Sequence, residues 1–254
     1  MMPSPAAKVS TAADAGFPIS AISSMATRAV LAELARAYEV RSGRQIAIES
    51  VGGVDAARRV DAGEAFDLVV LAREAIDKLL LAGHLLAGSE LDLVRSGVAV
   101  AVPAGAPRPE IGSEDALKRA VLSARTIGYS TGPSGAELAR LFEHWGIAQQ
   151  LRNRIVTAPP GVPVGTLVAR GEVELGFQQL SELLHVPGVE VIGPLPATIQ
   201  VVTTFSGAIG VRSRQPQAAR AVLAFMASPA ATEAKQRQGM DPADGARAPG
   251  GIDP

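Results

Sequence analysis

The sequence predicts an α/β fold made of two lobes, each built on a mostly parallel sheet. Three observations lead to this prediction. From residue 19 onward, short and almost continuously apolar strands alternate with segments whose apolar residues recur at helical spacing. The same alternation starts again at Ser113, and a long alternating run at residues 199–211 follows the second series. With 254 residues, of which 47% are hydrophobic, the chain is long enough to bury two cores of modest size.

The first series has a βαβαβ pattern. Ser23-Ser24 follow the first strand, and the next helix carries apolar residues from Val30 to Tyr38 on one face and stops near Gly43. Gly52-Gly53 opens the second helix. The predicted strands are 19–22, 45–51, 66–72 and 93–102, and the two later helices are 53–60 and 76–81.

The second series contains a strand, a loop of small residues and a helix in direct succession. Residues 126–129 form the strand, Ser130 to Gly135 form the loop, and helical spacing of apolar residues begins after Ala136. The remaining predicted elements are a helix at 116–122, a strand near 155–156, a helix at 166–170 and a strand at 173–177.

The alternating run at 199–211 is too long for the second series alone. We interpret it as a strand that crosses back, so that the two helices after it, up to about residue 238, pack on the first lobe. The predicted lobe 1 is therefore discontinuous, with residues 18–98 and 206–240, and the predicted lobe 2 is 99–205. Residues 1–17 are predicted to be irregular, and 241–254 to be a mobile tail that buries nothing.

Composition excludes several classes of function. The chain has 24 basic and 25 acidic residues without a basic stripe, which argues against nucleic acid as a partner. It has no cysteine, and His84, His144 and His185 lie far apart, so we expect neither a metal site nor a cofactor. Its apolar runs are too short for membrane insertion, and we expect a monomer.

The first residues lack the apolar core of a secretory leader. On this ground we expect that the chain either stays in the cytoplasm or is exported from a different start.

Four loops at the carboxyl ends of predicted strands form the candidate site, because open α/β sheets bind ligands at that edge. They are Ser23-Ser24, Ser50 to Gly53, Ala72-Arg73 and Ser130 to Gly135. Three of them combine hydroxyls with free backbone N–H groups at a helix start, which together suit an anion. Arg73 adds a charge whose planar fork fits a carboxylate. The alternatives are an ordinary turn in which Ser134 is the N-cap, and a surface role for Arg73.

The order of elements and two phrases, YSTGPSGAELARLFE and GEVELGFQQLSELLHVPGVEVIGPLP, resemble the type II periplasmic solute-binding proteins, in the molybdate-binding-protein-like branch. The resemblance covers roughly residues 19 to 240. It implies two Rossmann-like lobes joined by two crossing strands, with a small anionic ligand between the lobes. It also implies a periplasmic location and delivery to an ABC permease.

Carried over by this resemblance, ligand contacts fall on Ser23 or Ser24, Gly52, Gly53, Thr131, Gly132, Ser134, Val164 and Gln178. Molybdate binders of the branch place a tyrosine where this chain has Gln178. Together with Arg73, this difference favours a carboxylate-bearing organic acid over molybdate.

The same branch is similar to an aconitate isomerase, which leaves an enzyme as the alternative to a binding protein. An isomerase needs a group that removes and returns a proton. The carboxylates near the predicted loops are Glu74, expected in the first turn of its helix, and Glu182, expected at the solvated end of a helix. The sequence therefore predicts a binding site, and it leaves an isomerase and a cytoplasmic sensor open.

Overall fold

The computed structural model describes residues 17–159 and 161–245. Its strands are β1 (Ile19–Ser24), β2 (Ile46–Val51), β3 (Leu68–Ala72), β4 (Leu91–Pro103), β5 (Ile127–Tyr129), β6 (Ile155–Thr157), β7 (Leu175–Gln179), β8 (Val189–Pro194), β9 (Val202–Ile209) and β10 (Asp241–Gly245). Its helices are α1 (Arg28–Ser42), α2 (Gly53–Asp61), α3 (Arg73–Leu81), α4 (Glu114–Ser123), α5 (Pro133–His144), α6 (Ala148–Leu151), α7 (Val164–Ala169), α8 (Leu180–Leu183), α9 (Pro216–Ala227) and α10 (Thr232–Arg237).

The fold is α/β with two lobes joined by two crossing strands, as the sequence predicts. The strand order is β2-β1-β3-β9-β4-β7-β5-β6. Strands β1, β2 and β3 are parallel in lobe 1, and β5, β6 and β7 are parallel in lobe 2. The antiparallel strands β4 and β9 join the two sets, because β4 pairs with β9 in its first half and with β7 in its second.

Each sheet is covered by helices on both faces. In lobe 1, one face packs on α1 and α9 and the other on α2 and α3. In lobe 2, the larger core lies under α4 and α5. All five residues of β3 are buried, as expected of a central parallel strand. The exact lobe boundaries given above stay predictions.

The predicted mobile tail is wrong for its first five residues. Asp241–Gly245 form β10, which pairs antiparallel with the beginning of β4. The beginning of β4 has β9 on one side only, so its other side still offers N–H and C=O groups, which a chain of almost any sequence can satisfy. Residues 246–254, and the predicted irregular residues 1–16, lie outside the described part of the chain.

Candidate functional site

Ser23 and Ser24, the last two residues of β1, are buried beside the start of α2. The hydroxyls of Ser23 and Ser50 share a hydrogen bond of 2.8 Å, and the Ser24 hydroxyl lies 3.5 Å from that of Thr27. Ser24 precedes the short 3₁₀ turn Met25–Thr27 but its side chain does not cap it. The Ser24 hydroxyl therefore keeps hydrogen-bonding capacity for a guest.

Glycine brings the start of α2 close to Ser24. A Cβ atom on Gly53 would lie 3.5 Å from the Cβ of Ser24, whereas one on Gly52 would meet nothing within 4 Å. Gly52 is the N-cap residue, and its side of α2 exposes helix N–H groups without partners in the helix. The structure thus brings four predicted contacts together in lobe 1: Ser23, Ser24, Gly52 and Gly53.

Arg73 is the first residue of α3, and an acidic residue already compensates its charge. Its Nη2 pairs with Asp92, and its Nε donates to Asp92 Oδ1 at 3.2 Å. The hydroxyl of Ser206 donates to the same oxygen at 2.5 Å. Asp92 is nearly buried while the Arg73 side chain is 40% exposed. Arg73 is therefore neither a helix cap nor a bare charge, although its Nη1 group remains available.

The loop before α5 is not the turn in which Ser134 would be the N-cap of the helix. Gly132 is the N-cap and Pro133 the first helical residue, so Ser134 lies inside the first turn, where it is buried. No described residue hydrogen-bonds to the hydroxyl of Ser134 or of Thr131, and Thr131 is exposed. The loop is compact, because a Cβ on Gly135 would lie 1.7 Å from the carbonyl oxygen of Ser130.

Val164 and Gln178 belong to one hydrogen-bonded unit in lobe 2. Val164 begins α7, and the N–H of the next residue, Gly165, donates to Gln178 Oε1 at 3.1 Å. Gln178 is the fourth residue of β7 and only 3% exposed. Its Nε2 donates to Glu182 Oε1 at 2.8 Å. Gln178 therefore links the start of α7 to α8.

Glu182 is a candidate carboxylate whose surroundings the sequence interpretation predicted incorrectly. The expectation of a solvated helix end is wrong, because Glu182 is half-buried on α8. Burial raises its pKa to about 7, although the hydrogen bond from Gln178 acts in the opposite direction. The only signal in the sequence was the spacing of four between Gln178 and Glu182, which by itself is common.

One hydrogen bond joins the two halves of the site. Ser181 Oγ donates to the carbonyl oxygen of Ala26 at 2.9 Å, and both residues are buried. This bond places α8 of lobe 2 against the turn that follows Ser24 in lobe 1. No hydrogen bond within the described ranges joins Thr131, Ser134 or Arg73 to this group.

Polar atoms without partners lie where β4 and β9 pass between the lobes. Gln179 Nε2 donates to Thr203 Oγ1 at 2.8 Å, and Thr203 is directly opposite Ser96 on β4. The other amide atom, Gln179 Oε1, and the Ser96 hydroxyl are fully buried and have no hydrogen-bond partner. Buried polar atoms of this kind usually bind water or a ligand.

Among the described residues, no group of three or more His, Asp or Glu side chains could hold a metal ion. No helix of residues 17–159 and 161–245 is long and apolar enough to cross a membrane. Two surface grooves lie elsewhere, one of about 270 Å³ beside Phe66 and His84 and one of about 880 Å³ beside α4. Neither groove is lined by a predicted contact residue.

Comparison with known proteins matches both lobes. A model of the family described as bacterial extracellular solute-binding protein matches residues 19–241. A Pseudomonas protein named aconitate isomerase is 38% identical over 232 residues, which are 88% of this chain and 87% of that protein.

Solved structures show the same fold. The periplasmic molybdate-binding protein of Azotobacter vinelandii has a TM-score of 0.74 at 20% identity, over 87% of this chain and 98% of that one. The sulfate-binding protein SubI from Mycobacterium tuberculosis H37Rv has a TM-score of 0.73 at 17% identity, over 90% and 88%. These likenesses confirm the predicted type II periplasmic-binding-protein fold.

Proposed function

The chain belongs to the bacterial extracellular solute-binding proteins, and we propose that it closes its two lobes on a small polycarboxylate of the aconitate class. The observation that carries this proposal is the contact between Ser181 and Ala26, which holds a neutral, hydroxyl-rich surface of lobe 1 against lobe 2. The relative named aconitate isomerase supports the choice of guest, since its similarity extends over both lobes.

The donors on both sides of this contact suit carboxylates. Ser24 and the start of α2 offer a hydroxyl and unpaired N–H groups, and such neutral donors bind negative charge without a cationic partner. Arg73 would add a charge-assisted hydrogen bond through Nη1, because Asp92 engages only Nε and Nη2. A guest with several carboxylates can engage donors of both lobes at once.

The family relationship extends the proposal to a partner and a location. We infer that the closed form is recognised by an ABC-type permease and that the protein acts in the periplasm, since extracellular solute binding is the description of the matched family.

Thermal unfolding tests the guest. We expect cis-aconitate, trans-aconitate or citrate to raise the melting temperature, because a ligand at about 100 times its Kd stabilises the native state by about 2.7 kcal/mol. Arg73→Ala should weaken this response, whereas the matched control Arg58→Ala, at an exposed ion pair with Asp55, should not. A clear response to molybdate or tungstate, with none to any di- or tricarboxylate, would contradict the proposed guest.

Isomerisation of the same guest is the second candidate function. The specific observation in its favour is Glu182, a carboxyl group with a pKa of about 7 next to the predicted contact Gln178. A group that is partly protonated at neutral pH can both accept and donate a proton. NMR spectra of cis-aconitate incubated with a catalytic amount of protein would show trans-aconitate if the chain is an isomerase. Unchanged spectra, with a clear thermal response, would leave a pure binding protein.

A further inference from the structure

We propose that Glu182 is the catalytic residue that carries the proton in this isomerisation and that Gln178 is its positioning residue. The inference rests on the second function proposed above. It assigns a role to a side chain that neither the family description nor the similarity to solved structures singles out.

The geometry around Glu182 fixes one carboxylate oxygen and leaves the other available. The N–H of Gly165 holds the amide oxygen of Gln178, which orients the amide so that Nε2 donates to Glu182 Oε1. No described residue hydrogen-bonds to Glu182 Oε2. A carboxylate held in this way presents a single oxygen in a fixed direction, as proton transfer requires.

The position of α8 places Glu182 beside the boundary between the lobes. Ser181, the residue directly before Glu182, donates to the carbonyl oxygen of Ala26 in lobe 1. We expect a guest that touches both the serines at the end of β1 and the start of α7 to lie beside this contact. We therefore expect Glu182 to reach a guest that the proposed function places between the lobes.

The chemistry needs one such group and no co-reactant. In an aconitate-class acid, a methylene carbon and a vinylic carbon flank the carbon that bears the central carboxylate. Glu182 takes a proton from the methylene carbon, and the C–H electron pair delocalises over the three carbons. Glu182 then returns the proton to the former vinylic carbon, so that the double bond moves by one position. One C–H bond breaks and one forms, and the carboxyl group ends as it began.

The surroundings of α8 keep Glu182 suited to this task. This helix packs against β4, β7, β8 and the turn at Met25–Thr27, and a Cβ atom on Gly239, after α10, would lie 2.9 Å from Leu180 Cγ. The charged side chains on these elements and on α10 are Asp92, Arg95, Glu190, Glu233, Lys235 and Arg237. None of these charged side chains causes the shift in the pKa of Glu182. Burial raises this pKa, and the hydrogen bond from Gln178 lowers it. Both protonation states are therefore populated near neutral pH.

The test combines turnover and binding for matched variants. We expect E182Q to keep the thermal response to aconitate and to lose turnover by about 10²-fold or more, the usual contribution of acid–base catalysis. The control Glu74→Gln replaces an exposed carboxylate in the first turn of α3 and should keep wild-type turnover. Gln178→Leu should keep some turnover but raise the apparent pKa of the pH–rate profile, because the hydrogen bond that lowers it is lost.

Each result decides between the proposals. Wild-type turnover that survives in E182Q would overturn the role of Glu182 while the isomerase function stands. Absent turnover in the wild type, with a thermal response to aconitate, would overturn both and leave only binding. If E182Q does not fold, the Gln178→Leu profile decides, since an apparent pKa equal to that of the wild type would overturn the assignment.

Discussion

Replacing Glu182 by glutamine should make the protein more stable at alkaline pH and leave its stability unchanged at acidic pH. The pKa of Glu182 is raised from 4.5 to about 7 in the folded state. Well below pH 4.5 the carboxyl is protonated in both the folded and the unfolded chain, so its ionisation does not affect the free energy of unfolding. As the pH rises from about 4.5 to 7, the unfolded chain ionises while the folded chain stays largely protonated, so the wild type loses stability progressively over this interval.

The size of the effect follows from this interval. One pKa unit corresponds to about 1.4 kcal/mol, so the wild type loses up to about 3 kcal/mol between pH 4.5 and pH 8 through this one group. The value is an upper bound, because Glu182 is only half-buried and water screens part of the penalty. The amide introduced by E182Q cannot ionise, and its oxygen can still accept from Gln178.

Urea unfolding of both proteins at pH 5, 6, 7 and 8 measures this difference directly. All other titrating groups are common to the two proteins and cancel in the comparison. We expect the difference between the two free energies of unfolding to widen by about 2–3 kcal/mol from pH 5 to pH 8. A difference that stays constant across this range would refute the reasoning, because it would mean that burial does not perturb Glu182.

Three further changes test other parts of the structure. Lys235 is 1% exposed, burial lowers its pKa, and no described residue pairs with its ammonium group, so Lys235→Met should raise the urea midpoint at pH 7. Gly135→Ala should lower the free energy of unfolding by about 3 kcal/mol or more, because the new Cβ would clash with the backbone. Gly132→Ala is the control: a Cβ on Gly132 has its nearest neighbour at 3.6 Å, so this change should be tolerated in the same assay. Ser181→Ala should cost about 1 kcal/mol and increase the radius of gyration in small-angle scattering, while Ser123→Ala on the exposed end of α4 should change neither.

Contrary outcomes are equally specific. A lower midpoint for the lysine variant would mean that its ammonium group has a stabilising partner. A loss for Gly135→Ala as small as that for Gly132→Ala would mean that the loop before α5 can relax. An unchanged radius of gyration without the interlobe hydroxyl would show that the crossing strands alone hold the lobes together.

Much of the fold could be predicted because its helices and strands follow local patterns of apolar residues. The buried run of β3 and the apolar face of α1 have periods that a sequence displays directly, and Gly43 at the end of α1 has φ of +72°, a conformation that glycine adopts without cost. Strands β8 and β10 were not predicted, because their pairing with β4 uses backbone groups and depends on a distant segment.

The candidate site was predicted less completely, for two physical reasons. The start of α5 was placed late, although Pro133 is a residue that favours the first helical position. Glu182 was expected in water because its four-residue helix has no periodicity from which burial could be inferred. The sequence also did not predict that Asp92 neutralises the charge of Arg73, because the two residues come together only through the pairing of β4 with β9.

The place of β9 in the sheet affects how the protein can be synthesised. This strand lies between β3 and β4, yet the ribosome releases it only after all of lobe 2 has been translated. The nascent amino-terminal half therefore has a gap in the middle of its sheet, whereas the strands of lobe 2 emerge almost without interruption. We expect lobe 2 to fold first and lobe 1 to be completed last. Premature termination near the carboxyl end should therefore prevent lobe 1 from folding, although most of lobe 1 is translated first.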